Sequence, residues 1–332
     1  QVSNYLKKDD LIIMRSTVKL GITRSLVMPI LDKVGCEYDI AFAPERTLAG
    51  NALAEIRSLP QIIGGGNNKS TIRASQLFQF LTPTVVRVSD IETAEMIKLV
   101  DNAQRDVSFA YSNEIAFACD TIGISAAEVI RAGKLGYPRT NLPLPGPVGG
   151  PCLEKDSYIL AEGLNELGFK AEITLAARKC NERQPQYIAK YIKHLFLEKN
   201  IEQESIKISL LGIAFKGKPA TDDLRGTMAR PILNELKLEF PKGTFYGYDP
   251  IVNKADLMNF GLKHSITIED AFERSNIVLI LNNYPTFASM PISNLADLMH
   301  KGGIIYDCWN MHESQNLSLP ESVDYVALGG HK

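Results

Sequence analysis

The stretch AEMIKLVDNAQRDVSFAYSNEIAFAC, residues 94–119, carries an apolar residue at every third or fourth position. This spacing is that of one helix face, and it extends from Ile91 to about Thr121, which predicts a helix of about 30 residues. Such a long helix in an α/β protein commonly joins domains or pairs with its counterpart in a second copy. We therefore expect a homodimer through this helix. The alternative is a long helix of the core.

Short apolar runs bounded by polar residues precede the helix. The run LIIMRST at residues 11–17 predicts a buried strand, and a helical stretch follows at residues 21–31. Further strands are predicted at residues 39–43, 61–64 and 84–88. We interpret the Gly64-Gly65-Gly66 run as a turn, with no helix opening at the spacing that a dinucleotide site requires. A strand followed by a helix is typical of an α/β unit.

The segment after the long helix contains helices and one shaped loop. Ser125 with Glu128 three residues later is a capping signature, and its helix ends near Gly133–Gly136. The sixteen residues YPRTNLPLPGPVGGPC hold five prolines and three glycines, too many for a regular element. Helices are predicted at residues 152–167 and 172–198.

The last third of the chain alternates between strands and helices. Strands are predicted at residues 207–215, 244–248, 276–281 and 303–307, with a helix at residues 227–238. This alternation predicts a parallel-sheet α/β domain. A dinucleotide site at Asp249 is rejected, because only Gly212 and Gly217 are available and G-x-G-x-x-G is missing.

Composition excludes several classes of protein. The 332 residues are 45% hydrophobic and 22% charged, with a net charge of −2, which gives no broad cationic field for nucleic acid or anionic lipid. Five scattered cysteines without a C-x-x-C pair indicate neither a metal site nor a disulfide framework. No apolar run approaches the roughly 20 residues that span a bilayer. We expect a cytoplasmic protein that does not contact a membrane.

The segment GPVGGPCLEKD, residues 146–156, brings a cysteine to the start of a predicted helix. Lys155 and Asp156 follow Cys152 by three and four residues, which would put all three on one helical face. A helix N-terminus and a nearby cation both favour the nucleophilic thiolate. The alternative is a small buried thiol at a helix cap.

Lys98 and Asn102 are four residues apart on the long helix. Both side chains therefore face one side and can direct donors at one oxyanion. The alternative is a solvated helix face.

In this order of motifs the chain resembles the UDP-glucose, GDP-mannose and UDP-N-acetylmannosamine dehydrogenase family. The resemblance covers nearly the whole chain. Its motifs are the cysteine segment, S-T-V at Ser16–Val18, A-P-E-R at Ala43–Arg46, K-L-x-x-N at Lys98–Asn102, Asn181, and A-F-K-G-K-P-A-T-D-D-L-R at Ala214–Arg225. The implied fold is α/β, with the remnant of an N-terminal Rossmann domain (residues 1–88), a central long-helix domain (89–200) and a C-terminal Rossmann-like UDP-sugar-binding domain (201–332).

The resemblance implies an NAD-dependent oxidation of a sugar C6 hydroxyl to a carboxylate. Cys152 would attack the aldehyde, and the resulting thiohemiacetal would become a thioester that water releases. Lys98 and Asn102 would stabilise the oxyanion. Asp156 would orient the water or act as base, Thr17 would hold that water, and Glu45 would be the general acid/base for hydrolysis.

The resemblance also assigns ligand contacts. Lys216 and Arg225 would meet the diphosphate and uridine portion of the UDP-sugar, as local cations on a near-neutral protein. The arginine in the proline-rich loop, Arg139, would reach the substrate of a neighbouring subunit. The other implied substrate contacts are Arg46, Gly149, Asn181 and Phe215, and the implied NAD contacts are Ser16, Thr17, Lys155 and Arg225.

Two departures from the family pattern bear on substrate and cofactor. Glucose-type members have P-E-F-L-x-E-G where this chain has P-E-R-T-L-A-G, so that Ala49 replaces a glutamate. This favours a UDP-N-acetylhexosamine such as UDP-N-acetyl-D-mannosamine, used for polysaccharide synthesis, over UDP-glucose. Near the C-terminus the family's D-G-R is replaced by Asp307-Cys308-Trp309-Asn310, which puts a direct arginine contact there in doubt.

The S-T-V motif lies within the first twenty residues, whereas it comes late in the family's NAD domain. Roughly 100 residues with the glycine motif are therefore expected to be absent, and the chain is expected to hold NAD poorly. A non-catalytic sugar-nucleotide-binding fragment is the competing interpretation.

Overall fold

The computed structural model describes residues 1–199, 206–312 and 316–330, which form two compact units. Unit 1 comprises Gln1–Arg105 and Lys155–Leu175, and unit 2 comprises Asp106–Glu154 and Ala176–Lys332. The three-domain division by residues 1–88, 89–200 and 201–332 stays a prediction.

The described part of unit 1 contains a four-stranded sheet in the order β1-β2-β3-β4. Its strands are β1 (Asp10–Met14), β2 (Tyr38–Phe42), β3 (Gln61–Gly65) and β4 (Val85–Arg87). All four lie at predicted positions, although β1 ends three residues early. β2 and β3 are antiparallel, while the β1–β2 and β3–β4 pairs are parallel.

The helices that connect the strands of this sheet differ in length. The helices of unit 1 outside the long helix are α1 (Met28–Asp32), which continues a π-helical segment Thr23–Val27, α2 (Ala52–Ser58), α3 (Asn68–Gln79) and α7 (Asp156–Glu166). The seven residues of α2 span about 10 Å, less than a strand of about 17 Å, and β3 is antiparallel to β2. The twelve residues of α3 span about 18 Å, and β4 is parallel to β3.

The interpretation of the Gly64-Gly65-Gly66 run as a turn is wrong for Gly64 and Gly65. Gly64 and Gly65 end β3, and α3 begins at once, with Asn67 as its N-cap accepting from the Ser70 amide at 2.8 Å. A Cβ on Gly64 would lie 1.9 Å from the Asp90 carbonyl oxygen. These glycines therefore allow a close approach of β3 to the start of the long helix.

The two long helices predicted from the apolar periodicity are confirmed. Helix α4 is Ile91–Ile122, with 32 residues, and α8 is Glu172–Glu198, with 27 residues and Pro185 inside it. α5 (Ala126–Lys134) begins after its Ser125 cap, which accepts from the Glu128 amide at 3.3 Å.

The helix predicted at residues 152–167 is interrupted. α6 (Gly150–Leu153) ends before Lys155, whose φ of −125° is not helical, and α7 starts at Asp156. In a continuous helix the Leu153 carbonyl would accept from Ser157 four residues later. The Leu153 carbonyl accepts from Arg178 Nη1 at 2.9 Å, and this guanidinium is buried.

Unit 2 contains a six-stranded parallel sheet in its described part, ordered β10-β9-β8-β5-β6-β7. This is the doubly wound order of a Rossmann fold and confirms the predicted α/β class. The strands are β5 (Ile206–Leu211), β6 (Gly243–Tyr248), β7 (Lys263–His264), β8 (Ile277–Ile280), β9 (Ile304–Asp307) and β10 (Asp324–Ala327). The helices between them are α9 (Ala229–Glu239), α10 (Lys254–Asn259), α11 (Ile268–Phe272), α12 (Pro285–Ala288) and α13 (Ile292–Ala296).

Both faces of this sheet are buried. Ile277 and Leu279 point into one apolar cluster and Val278 and Ile280 into the other, as the two-residue period of a strand requires. Helices on both faces and the neighbouring strands complete each cluster.

Candidate active site

The cysteine loop, residues 146–153, needs its glycines because it packs tightly within unit 2. A Cβ on Gly149 would lie 2.3 Å from the Gly226 carbonyl oxygen, which accepts from the Gly150 amide at 2.7 Å. Gly150 has φ +91°, and its Cβ would lie 2.5 Å from the Phe215 ring. Cys152 follows in α6 with its side chain exposed. The loop is thus a fixed support for an accessible thiol.

Trp309 supports the start of the loop. A Cβ on Gly146 would lie 2.7 Å from the Trp309 ring, and the indole Nε1 donates to the Leu281 carbonyl at 2.9 Å. Asp307 accepts from the amides of Trp309 at 2.9 Å and Met311 at 2.7 Å. The segment that departs from the family pattern therefore supports the cysteine loop.

Asp156 is fully buried in unit 1, with both carboxylate oxygens bonded. Oδ2 accepts from Asn102 Nδ2 at 2.5 Å and Oδ1 from Lys155 Nζ at 2.6 Å. One turn earlier on α4, Lys98 is half-buried and has no ion pair or hydrogen bond within the described residues. Because α4 is continuous through both residues, Lys98 and Asn102 lie on one face of the helix, as predicted.

The expectation that Cys152, Lys155 and Asp156 share one helical face is wrong. The helix stops between Leu153 and Lys155, and the unit boundary follows Glu154. The Lys155 ammonium is paired with Asp156.

Glu45 lies on the loop after β2, where its amide donates to the Arg15 carbonyl on the loop after β1 at 3.1 Å. Its carboxylate forms an ion pair with Arg15 and accepts from the Thr47 amide at 2.9 Å. Burial raises the pKa of Glu45, but the hydrogen bonds from Arg15 and Thr47 outweigh burial and hold it below its ordinary value. The group is therefore a carboxylate at neutral pH.

The sequence reasoning missed Arg15. Its guanidinium also donates to Gln61 Oε1 at 3.3 Å and lies 4.9 Å above the Phe78 ring. A cation at a strand end directly before S-T-V was the available signal.

The predicted cofactor residues of unit 1 lie at a suitable edge. Ser16 is exposed and Thr17 half-buried, directly after the carboxyl end of β1. Dinucleotides bind outside the carboxyl ends of the strands of open α/β sheets. The polar side chains of Ser16 and Thr17 therefore fit contacts to NAD, although the chain has no G-x-G-x-x-G, and the contact of Lys155 stays a prediction.

Two predicted substrate arginines have other partners. Arg46 Nε lies 3.1 Å from the Asp101 carboxylate on α4, within unit 1. Arg139 is exposed in the proline-rich loop, with its guanidinium 5.3 Å from the Tyr137 ring centre. Their substrate contacts stay predictions.

Phe215 and Lys216 lie on the loop after β5 rather than within the strand, with Lys216 Nζ 5.2 Å from the Phe215 ring centre. Arg225 is exposed and paired with Asp223, with Nη2 2.7 Å from Oδ2. The Asp223 hydrogen bond and charge raise the pKa of Arg225, and the charge of Cys152 adds a smaller upward effect. Within unit 2, Arg225 therefore shares an electrostatic environment with the candidate nucleophile.

Two polar groups of unit 2 are fully committed to internal bonds. Asn181 is completely buried, donating to Asp106 and accepting from Asn113. Asp249 accepts from the amides of Ile213 at 2.7 Å and Val252 at 3.0 Å. Asp249 is therefore a structural cap, in line with the rejection of a dinucleotide site there.

Residues 1–199, 206–312 and 316–330 contain no group of three metal-ligating side chains placed to hold an ion. No helix within these ranges has the length and apolar character to cross a membrane.

Known proteins similar to this chain agree with these features. Residues 1–82, 92–183 and 209–314 match the NAD binding, central and UDP binding domains of the UDP-glucose/GDP-mannose dehydrogenase family. An NAD-binding domain is therefore present, which corrects the expectation that this part is missing. NAD is its cofactor.

Individual relatives span most of the chain. A UDP-N-acetyl-D-mannosamine dehydrogenase of Methanococcus maripaludis is 30% identical over 313 residues, which cover 93% of this chain and 68% of the relative. An NDP-N-acetyl-D-galactosaminuronic acid dehydrogenase of Ralstonia solanacearum is 30% identical over 306 residues, covering 89% and 70%.

Among solved structures, a UDP-D-ManNAc dehydrogenase of Pyrococcus horikoshii superposes with a TM-score of 0.85 at 28% identity, covering 99% of this chain and 74% of that one. The chain thus spans 65 to 71% of the length of the curated relatives it matches. It belongs to the UDP-glucose/GDP-mannose dehydrogenase family of NAD-dependent nucleotide-sugar dehydrogenases.

Proposed function

We propose that this protein oxidises the C6 hydroxyl of a UDP-N-acetylhexosamine, most suitably UDP-N-acetyl-D-mannosamine, to the uronic acid through a thioester on Cys152. The observation that carries the proposal is the exposed Cys152 thiol on a loop fixed by Gly226, Phe215 and Trp309. An accessible thiol on a rigid support is what covalent capture of an aldehyde requires.

The chemistry needs two oxidations at one carbon. Bound NAD⁺ supplies the hydride acceptor for both. Cys152 Sγ bonds to the aldehyde carbon while the aldehyde oxygen takes a proton, which gives a thiohemiacetal. Loss of the hydride from this carbon and of the proton from its hydroxyl leaves a thioester, and addition of water breaks its C–S bond to release the acid and the thiol.

The polar groups of unit 1 suit the charges that develop. The Lys98 ammonium has no partner among the residues that the structure describes, and Asn102 shares its helix face, so both can donate to an oxyanion. Asp156 accepts from Asn102 and Lys155, which orients all three side chains. Glu45 is held as a carboxylate by Arg15, which favours a role as base toward water near Thr17.

The substrate assignment is supported by the P-E-R-T-L-A-G motif and by the names of the relatives. Ala49 stands where glucose-type members have a glutamate, and several relatives are N-acetylmannosamine enzymes. UDP-glucose is the competing substrate. We infer that the acid product serves polysaccharide synthesis.

Product analysis with the two UDP-sugars tests the proposal. The native protein is expected to form two NADH per acid from UDP-N-acetyl-D-mannosamine and little from UDP-glucose. Cys152→Ser is expected to bind the UDP-sugar normally but to form no acid, while Cys36→Ser serves as the matched control. Undiminished acid formation by Cys152→Ser would exclude the thioester.

A non-catalytic sugar-nucleotide-binding protein is the second candidate, favoured by the match of residues 209–314 to the UDP binding domain. It predicts UDP-sugar binding by calorimetry without formation of NADH. Retention of Lys98, Asn102, Asp156 and Cys152 favours the enzyme.

We also propose a homodimer through α4 and a cytoplasmic location. Val100, Tyr111 and Ile122 on α4 are 42%, 51% and 67% exposed and recur every eleven residues. Eleven residues turn a helix to within about 20° of three full turns, so the three side chains form one stripe. All five cysteines are free, which suits a reducing compartment.

A further inference from the structure

The cysteine loop is anchored at its first residue by a side chain of α4. Asn113 is completely buried, and its carboxamide bonds Gly146 in both directions. Nδ2 donates to the Gly146 carbonyl at 3.2 Å, and Oδ1 accepts from the Gly146 amide at 2.9 Å. A two-bond contact of this kind fixes both the position and the orientation of the peptide unit.

A second side chain anchors the other end of the loop. Arg178 on α8 is 2% exposed and donates through Nη1 to the Leu153 carbonyl at 2.9 Å, one residue after Cys152. The same nitrogen donates to Asp106 Oδ1 at 2.8 Å. A buried guanidinium needs this carboxylate, because an unpaired buried charge is very costly.

The two anchors belong to one buried network between α4 and α8. Asn181 Nδ2 donates to Asp106 Oδ1 at 2.8 Å, and Asn181 Oδ1 accepts from Asn113 Nδ2 at 2.9 Å. Gln184 Nε2 donates to Asn113 Oδ1 at 3.0 Å. The two anchors are thereby connected through Asp106 and Asn181, and the buried Asn181 side chain does not face a cleft.

We propose that Asn113 and Arg178 are positioning residues that set Cys152 Sγ for capture of the aldehyde by holding the two ends of the cysteine loop. The inference rests on the proposed function, in which Cys152 is the nucleophile. Neither residue acts on the substrate. A displacement of about 1 Å at a reacting group costs up to about 100-fold in rate, so loosening one anchor impairs capture while the first oxidation proceeds.

The test separates the two half-reactions. Asn113→Asp removes the donor to Gly146 but keeps the acceptor, and Arg178→Lys keeps the charge beside Asp106 but removes the planar fork. Both variants are expected to lower acid formation by about 10- to 100-fold with little change in KM. Released aldehyde, trapped with hydroxylamine, should rise relative to acid. Arg183→Lys, five residues along α8, is the matched control.

A purely structural role would lower aldehyde and acid together and leave their ratio unchanged, which would overturn the proposal. Amide hydrogen exchange supplies a readout without turnover. Exchange in the peptide of residues 144–153 should accelerate in both variants, while exchange in the α5 peptide stays native. If either variant fails to fold, Gln184→Met, which removes one donor to Asn113, takes its place.

Different results would contradict the proposed function and the positioning role. Acid formation by Cys152→Ser would contradict the thioester. An inactive Cys152→Ser together with native aldehyde ratios and native loop exchange in the anchor variants would contradict the positioning role alone.

Discussion

Arg15 sets the ionisation of Glu45, and this predicts a change in pH dependence. Burial alone raises the pKa of Glu45, and Arg15 reverses the effect. In Arg15→Gln the pKa should therefore rise, and a reaction that needs the carboxylate should lose activity at a higher pH on its acid side. The measurement is the pH profile of kcat for acid formation.

Arg73→Gln is the matched control for this variant, because Arg73 pairs with Asp39 elsewhere in unit 1. An acid limb at the same pH in Arg15→Gln and native protein would contradict the role of Glu45. The Arg15–Glu45 pair also stabilises the fold above the ordinary pKa of a glutamate, and this contribution is lost as the pH falls through the lowered pKa.

Substitution of Gly150 by alanine tests whether the cysteine loop tolerates one added Cβ atom. In Gly150→Ala the new Cβ meets the Phe215 ring at 2.5 Å, at a φ of +91° that disfavours any side chain. We expect a loss of about 1–3 kcal/mol in unfolding free energy and a strong loss of acid formation. Thermal denaturation and product analysis measure both effects.

Gly133→Ala is the matched control, since nothing lies within 4 Å of its Cβ position in α5. This variant should be neutral or up to about 1 kcal/mol more stable. Equal stability of the two alanine variants would show that the loop tolerates displacement.

At the scale of elements, Asp120 near the end of α4 is bonded to α8 and to the segment after β10. Oδ2 accepts from Tyr187 Oη at 2.7 Å and from the Gly329 amide at 3.3 Å, while Oδ1 is buried without a partner in the described part of the chain. Burial raises the pKa of Asp120 to about 6 against the opposing effect of both hydrogen bonds.

Asp120→Asn should therefore stabilise the protein at pH values above about 6. The folded state holds the Asp120 proton more tightly than the unfolded state does, so native stability falls as the pH rises from about 4 to about 6 and stays lowered above that. The asparagine avoids the ionisation and should gain about 1–2 kcal/mol at pH 8, after allowance for solvent screening. Denaturant unfolding at pH 8 and pH 4.5 measures the difference.

Tyr187→Phe, which removes one donor, should have the opposite effect and lower stability most at pH 8. A stability difference between Asp120→Asn and native protein that does not change with pH would contradict the raised pKa.

At the scale of the whole molecule, the stripe of Val100, Tyr111 and Ile122 predicts the mode of assembly. Tyr111→Arg puts a charge at the centre of this stripe and should convert a dimer to a monomer, because burial of an unpaired charge is unfavourable. Light scattering measures the mass in solution. Ile173→Arg is the control, since Ile173 is 75% exposed on α8 and lies outside the stripe. A dimeric Tyr111→Arg protein would exclude this interface.

Local sequence patterns determined the class of fold and the position of the thiol. Two kinds of local pattern were sufficient: the apolar periodicity of α4 and α8, and the apolar runs of β1 to β4. Both involve residues close in sequence, so they can be recognised without knowledge of the tertiary contacts. The prolines and glycines of residues 137–152 exclude regular structure for the same reason. The order of the motifs was sufficient to identify the family.

Only the tertiary structure decided how these elements are joined and held. The helix break after Leu153 contains no glycine or proline, and the Leu153 carbonyl accepts from Arg178, which is 25 residues away in sequence. The Asn113–Gly146 contact spans 33 residues, and the antiparallel β2–β3 pair joins strands whose apolar runs do not indicate their direction. Polar residues on α4 such as Asp106 and Asn113 can be recognised in the sequence. Their hydrogen-bond partners depend on packing between distant segments, which no local pattern encodes.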